Sequence, residues 1–137
     1  MAAYNKFNCF VADVANKVHN LGSDSLKVAL VASANAPVAT NTVLANLTEI
    51  SYTNCSTRVL TTTSCTQTSG TLKLILADLT LTASGTVGPF RYVVVYNDTA
   101  TGKPLIGWFD KGADITLASG DLLVIDLDNT NGLFSIA

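Results

Sequence analysis

The apolar residues of this chain fall into short runs, and the densest pair lies between residues 88 and 110. There "FRYVVVYN" and "KPLIGWFD" are separated by the polar "DTATG". Aromatic and branched side chains on either side of a turn-forming segment predict an antiparallel hairpin at the centre of the fold. Val93, Val94 and Val95 are consecutive. Successive strand residues point to opposite faces, so both faces of this strand must be covered. One cover is a sheet packed opposite; the other is open to a second chain. Trp108 and Phe109 are adjacent and diverge in the same way, which sends one into the core and leaves the other for an interface.

Strand-like patterning continues on both sides of the hairpin. "LKVALVAS" at 26–33 alternates, and "ADITL", the run through Leu123, Ile125 and Leu127, and the terminal "LFSIA" supply further strands separated by turns. In "TLKLILADLTLT" leucines occupy 72, 74 and 76 and then 79 and 81, so the parity flips at Ala77 and Asp78. Such a flip predicts a bend that carries the strand from one sheet to another. About seven or eight short strands follow, arranged as a mainly β, antiparallel β-sandwich over residues 26–137.

Two stretches break the pattern. Near the start, Phe7, Phe10, Val11, Val14, Val18 and Leu21 recur at three-and-four spacing, and Gly22 follows. This predicts one N-terminal amphipathic helix over about 5–21. The segment "ANAPVATNTVLANLTEISYTNCS" is rich in Ala, Asn and Thr and predicts a long loop, with at most one turn near Val43 to Leu47. Loops of this length are commonly contact surfaces. The candidate interface residues are therefore Phe7 and Phe10 on the helix, Val38, Val43, Leu44 and Leu47 in the loop, and Trp108 or Phe109 on the hairpin.

Composition narrows the chemistry. A chain of 137 residues suits a single domain, and with 48% apolar against 13% charged residues part of its surface is expected to be covered. A net charge of −2 supplies no basic field for nucleic acid, and no apolar run reaches the 18 residues of a membrane span. Neither DNA nor a membrane is expected as partner, and the chain is expected to remain in the compartment where it is made. Cys9, Cys55 and Cys65 form no zinc-like pair and are expected as reduced thiols, although a bridge between Cys55 and Cys65 is open. His19 is the only histidine and has no partnered acid at recognisable spacing. Asp126, Asp128 and Thr130 alternate oxygen ligands, yet Asn131 and Ala137 stand where a calcium loop needs Gly and Glu. "TGKP" at 101–104 lacks the leading Gly and trailing Ser or Thr of a phosphate loop. No enzyme activity, cofactor or metal is expected.

Taken together, "APVATNTVLANLTEI", "GPFRYVVVYNDTATGKPLIGWFDKG" and "ITLASGDLLVIDLDNTNGLF" resemble small structural proteins of tailed bacteriophages, the capsid decoration or cement proteins. The likeness runs from about Lys27 to Phe134; the segment "SYTNCSTRVLTTTSC" departs from it by lacking a glycine-rich turn. It implies a jelly-roll-like β fold, a place on the outer surface of the head, the major capsid protein as partner, and homodimers or trimers bridging capsomers. No catalytic residue comes with the likeness. A phage tail or fibre-base module, or a surface carbohydrate-binding β-sandwich, is the alternative.

Overall fold

The computed structural model describes residues 2–137. It is mainly β, with antiparallel sheets and a short helix near the N-terminus. The centre is the expected hairpin: β6 (Val87–Asn97) pairs antiparallel with β7 (Leu105–Leu117), which is one long strand containing both "LIGWFD" and "ADITL". β2 (Leu26–Val31) adds to the far side of β6 and β1 (Tyr4–Lys6) to the far side of β7, giving the order β1-β7-β6-β2. Two smaller sheets, sandwich-like, lie opposite. β3 (Thr62–Thr68), β4 (Thr71–Leu76) and β9 (Phe134–Ile136) form one, and β5 (Leu79–Thr82) with β8 (Leu122–Ile125) the other.

The parity flip does turn a corner. β4 ends at Leu76 and β5 begins at Leu79 in a different sheet. Asp78 holds the bend by accepting the Leu127 N–H at 2.9 Å. Leucines on both sides of the corner, Leu74, Leu76 and Leu81 among them, enter one apolar core shared with Val28, Val93, Val95 and Phe109.

The second face of the central sheet is covered by the chain itself. Ala29, Val31, Val94, Tyr96 and Leu105 form a second cluster with Phe7, and Leu44, Leu47 and Trp108 pack over it. The long loop therefore supplies the cover that the triple valine demands, where another chain had been open. It contains 3-10 turns at Ser33–Asn35 and Leu44–Asn46. In the second turn the Asn46 carboxamide oxygen accepts the Thr42 and Val43 N–H groups at 2.9 and 3.1 Å.

The loop also seals the outer edge of β2. Val28 N–H donates to the Arg58 carbonyl at 3.0 Å, Leu60 N–H to the Leu26 carbonyl at 2.8 Å, and Ile50 N–H to the Leu30 carbonyl at 3.0 Å. Side chains complete the seal: Tyr52 Oη accepts the Leu30 N–H at 2.9 Å, and Arg58 Nη1 donates to the Val28 carbonyl at 2.7 Å. The Arg58 guanidinium lies 3.5 Å over the Tyr52 ring. Edge strands left bare invite pairing with other chains, and this one is closed.

The helix is shorter than the 5–21 read from the spacing. α1 covers Cys9–Ala15. Tyr4 to Lys6 go instead to β1, because the free side of β7 offers backbone partners to an extended chain. At the other end Lys17 takes a φ of 67°, and Val18 N–H closes back on the Asp13 carbonyl at 2.9 Å. That left-handed closure normally uses glycine, so no residue type signalled it. Because β1 belongs to the central sheet, strand structure also begins well before residue 26.

Candidate functional site

The proposed interface residues separate by burial. Phe7 is fully buried, and Phe10 and Phe109 are 4% exposed. These three are core residues, and of them only Phe10 also borders a surface groove. Phe10 and Phe109 face the main core, whereas Phe7 belongs to the second cluster and packs on Trp108 with ring centroids 4.6 Å apart. Trp108 is thus half-buried as a cover for Phe7. Val43, Leu44 and Leu47 are half-buried as well, and Val38 is exposed. Leu44, Ala45 and Leu47 border a wide, shallow depression with Gly102 and Lys103.

A more enclosed site lies where β1, α1 and β9 meet around an apolar groove of about 350 Å³. α1 gives Phe10, Val11, Val14 and Ala15; β1 gives Tyr4 and Lys6. Val11 is 57% exposed and the neighbouring Ile136 is 40% exposed. The aromatic floor is tightly set. Phe134 sits edge-on to Phe10 at 4.9 Å, and the Tyr4 ring lies over Gly107, leaving no room there for a Cβ atom. Burial raises the Tyr4 phenol well above its ordinary pKa, which keeps that wall neutral. Among the described residues, Lys6 is the one charged side chain lining the groove. Sequence reasoning reached Phe10 but missed Val11, Val14, Phe134 and Ile136, because the groove forms only when the last strand pairs with β4.

Outside the groove, the exposed aliphatics include Leu122 and Val124 on the outer face of β8, opposite Thr82 and Thr80 of β5. All the large apolar side chains exposed beyond a third, among the described residues, are Val, Leu or Ile.

The chemically versatile residues are tied into structure. All three cysteines are free thiols. Burial raises the pKa of each, and Asp13 raises that of Cys9 further, which is the opposite of what activates a nucleophile. Asp128 accepts the N–H groups of Thr130 and Asn131, making a turn of the acidic tail. Asn97, in an Asn-Asp-Thr triplet, is completely buried. Its Oδ1 accepts the Thr99 and Ala100 N–H groups, both at 3.0 Å, and its Nδ2 donates to Asp24 Oδ2 at 2.6 Å and faces His19 Nδ1 at 3.0 Å.

The roles at Asn97 fix the state of His19. Since Asn97 presents donors, Nδ1 must accept, and the proton of the neutral ring sits on Nε2, which is buried with no partner among the described residues. Burial lowers the His19 pKa, partly opposed by the charges of Asp13 and Asp24. A lowered folded-state value means that the unfolded chain takes up the proton first. The stability contribution is whole above the ordinary histidine value and is lost as pH falls through the folded one. Urea midpoints measured from pH 8 to pH 5 are expected to decline on the acid side, and His19→Gln to flatten that decline. An identical slope in the variant would show that another group controls it.

The fold and its surfaces define a small, mainly antiparallel β protein with a doubly covered central sheet and exposed aliphatic side chains. Comparison with protein-family models, with curated proteins and with solved structures finds no match.

Proposed function

We propose that this protein is a non-enzymatic capsid decoration, or cement, protein of a tailed bacteriophage, which binds the outer surface of the assembled head and stabilises contacts between capsomers of the major capsid protein. The sequence likeness supplies the class. The observation that carries the reading is the aliphatic character of the exposed apolar surface. Sugar sites commonly rely on open aromatic faces, whereas aliphatic patches and grooves fit protein surfaces. A protein partner is therefore favoured over a glycan. With a net charge of −2 and isolated ion pairs such as Arg91–Asp110, association is not steered by charge and varies little with salt.

Linkage gives the size of the effect. A ligand that binds only the assembled state stabilises it by RT ln(1 + [L]/Kd), about 2.7 kcal/mol per site at a hundredfold excess over Kd. Dimers or trimers bridging neighbouring capsomers add effective concentration, so modest contacts suffice when repeated over a lattice. Heads lacking the protein are expected to release DNA at lower temperature than heads carrying it, and added purified protein to restore the difference. Equal behaviour of bare and decorated heads overturns the proposal. A few copies located on the tail would assign the protein to a tail or fibre-base module instead.

A further inference from the structure

The geometry points to the groove between α1 and β9 as a strand-addition site, which takes an extended segment of another protein as the next strand beside β9. This rests on the reading that the protein works by binding protein surfaces, and it identifies the form of the bound element.

Three observations carry it. Phe134, Ser135 and Ile136 are consecutive and all border the groove. Side chains in a strand alternate between faces, so the feature common to all three is the backbone edge. Among the described residues no strand lies beside that edge, because β9 is the last strand of the sheet β3-β4-β9. It differs from the outer edge of β2, which the long loop closes with backbone and side-chain bonds. It differs also from β3, the other end of its own sheet, which is built from "TTSCTQT" beside a surface of Ser64, Thr66, Thr68 and Lys73. At β9, the peptide groups that point away from β4 have no partner among the described residues and stand next to exposed aliphatic side chains, Val11 on one side and Ile136 on the other.

The form of the occupant follows. Peptide groups on an edge reward an extended chain, and the apolar wall of α1 rewards side chains on one face of it, at alternate positions. Lys6 favours an acidic residue toward one end. A second copy of this chain fits poorly, since a twofold contact places the same concave surface on both sides and leaves the groove unfilled. Nor does the described chain hold a spare strand, because its apolar runs are already paired in the sheets or packed over them. The occupant is therefore a protruding extended segment of a different protein, aliphatic at every second residue.

The test uses the purified protein and a display library of random ten-residue linear peptides. Selected peptides are expected to show aliphatic residues at alternate positions and to lose at least tenfold in affinity against Val11→Glu, with Leu122→Glu binding as the parent does. Both substitutions lie at exposed positions. N-methylation of a selected peptide is expected to abolish binding at residues of one parity only, because alternate N–H groups face the edge, and bound peptide should slow amide exchange only at those residues of β9 whose N–H points away from β4. Helical spacing in the selected peptides, tolerance of N-methylation at every position, or absence of binders sensitive to Val11→Glu overturns the proposal. A dimer in sedimentation that Val11→Glu dissolves assigns the groove to a second copy and overturns it equally. Peptide binding without binding to heads would remove the cement reading and keep the groove; head binding undisturbed by Val11→Glu, with no binders found, would do the reverse.

Discussion

Replacing Phe7 by alanine is expected to destabilise the fold by about 3–5 kcal/mol, the usual cost of deleting a buried phenylalanine ring. The ring is fully buried and packs at a tilt against Trp108, with centroids 4.6 Å apart. Its removal empties the centre of the second cluster, between Val31, Val94 and Leu105 below and the half-buried Leu44 and Leu47 above. The loop over this face then loses its apolar anchor, while the main core between the sheets stays intact. Small domains have only about 5–15 kcal/mol in hand, so the change removes a large share of the total. Urea unfolding followed by tryptophan fluorescence measures it directly, because Trp108 is the only tryptophan. Val11→Glu, at an exposed position, should leave the same midpoint nearly unchanged. A Phe7→Ala variant as stable as the parent but defective in binding would return Phe7 to an interface role.

The second large effect is expected at Asn97. Asn97→Asp keeps the shape of the side chain and the two bonds accepted from Thr99 and Ala100, but it replaces the amide that donates to Asp24 and faces His19. Two carboxyl groups then meet where one donor had satisfied both neighbours, in a position with no exposure to water. Leaving a charge uncompensated in such a place costs about 3–5 kcal/mol at neutral pH. The pH dependence should also reverse. The new carboxyl, buried against like charge, has a folded pKa above its unfolded value. The folded variant therefore takes up a proton first as pH falls, and it recovers stability on acidification where the parent loses it. Unfolding midpoints at pH 7 and pH 5 for the two proteins should move in opposite directions; parallel movement would place Asn97 outside the network described for it.

How far the sequence could be read follows from which signals are local. The central hairpin and the corner at Ala77–Asp78 were legible because alternation and its break are written in neighbouring residues. The triple valine correctly required two covers, yet the second cover was obscured: the loop that provides it has no periodicity and is placed by bonds to β2 and by the Asn46 turn. Phe7 and Phe10 are three apart and were read as one helical face. In the structure Phe7 precedes the helix and faces the second cluster, while Phe10 faces the main core. The groove was illegible because its walls come from both ends of the chain, and β9 is only three residues long.

The seal along β2 also makes that strand a recorder of two separate openings. In an antiparallel ladder alternate amides point to opposite sides. Val28 and Leu30 direct theirs to Arg58 and Tyr52 of the loop, whereas Ala29 and Val31 face β6. Excursions that lift the loop alone expose the first pair to solvent exchange and leave the second protected, so adjacent residues report local and global unfolding on different clocks. During each such excursion a flat strand rich in Val and Leu is bare along its edge. The lifetime of the lifted loop, more than the overall stability, then sets how readily this protein self-associates into non-native aggregates before it reaches its partner.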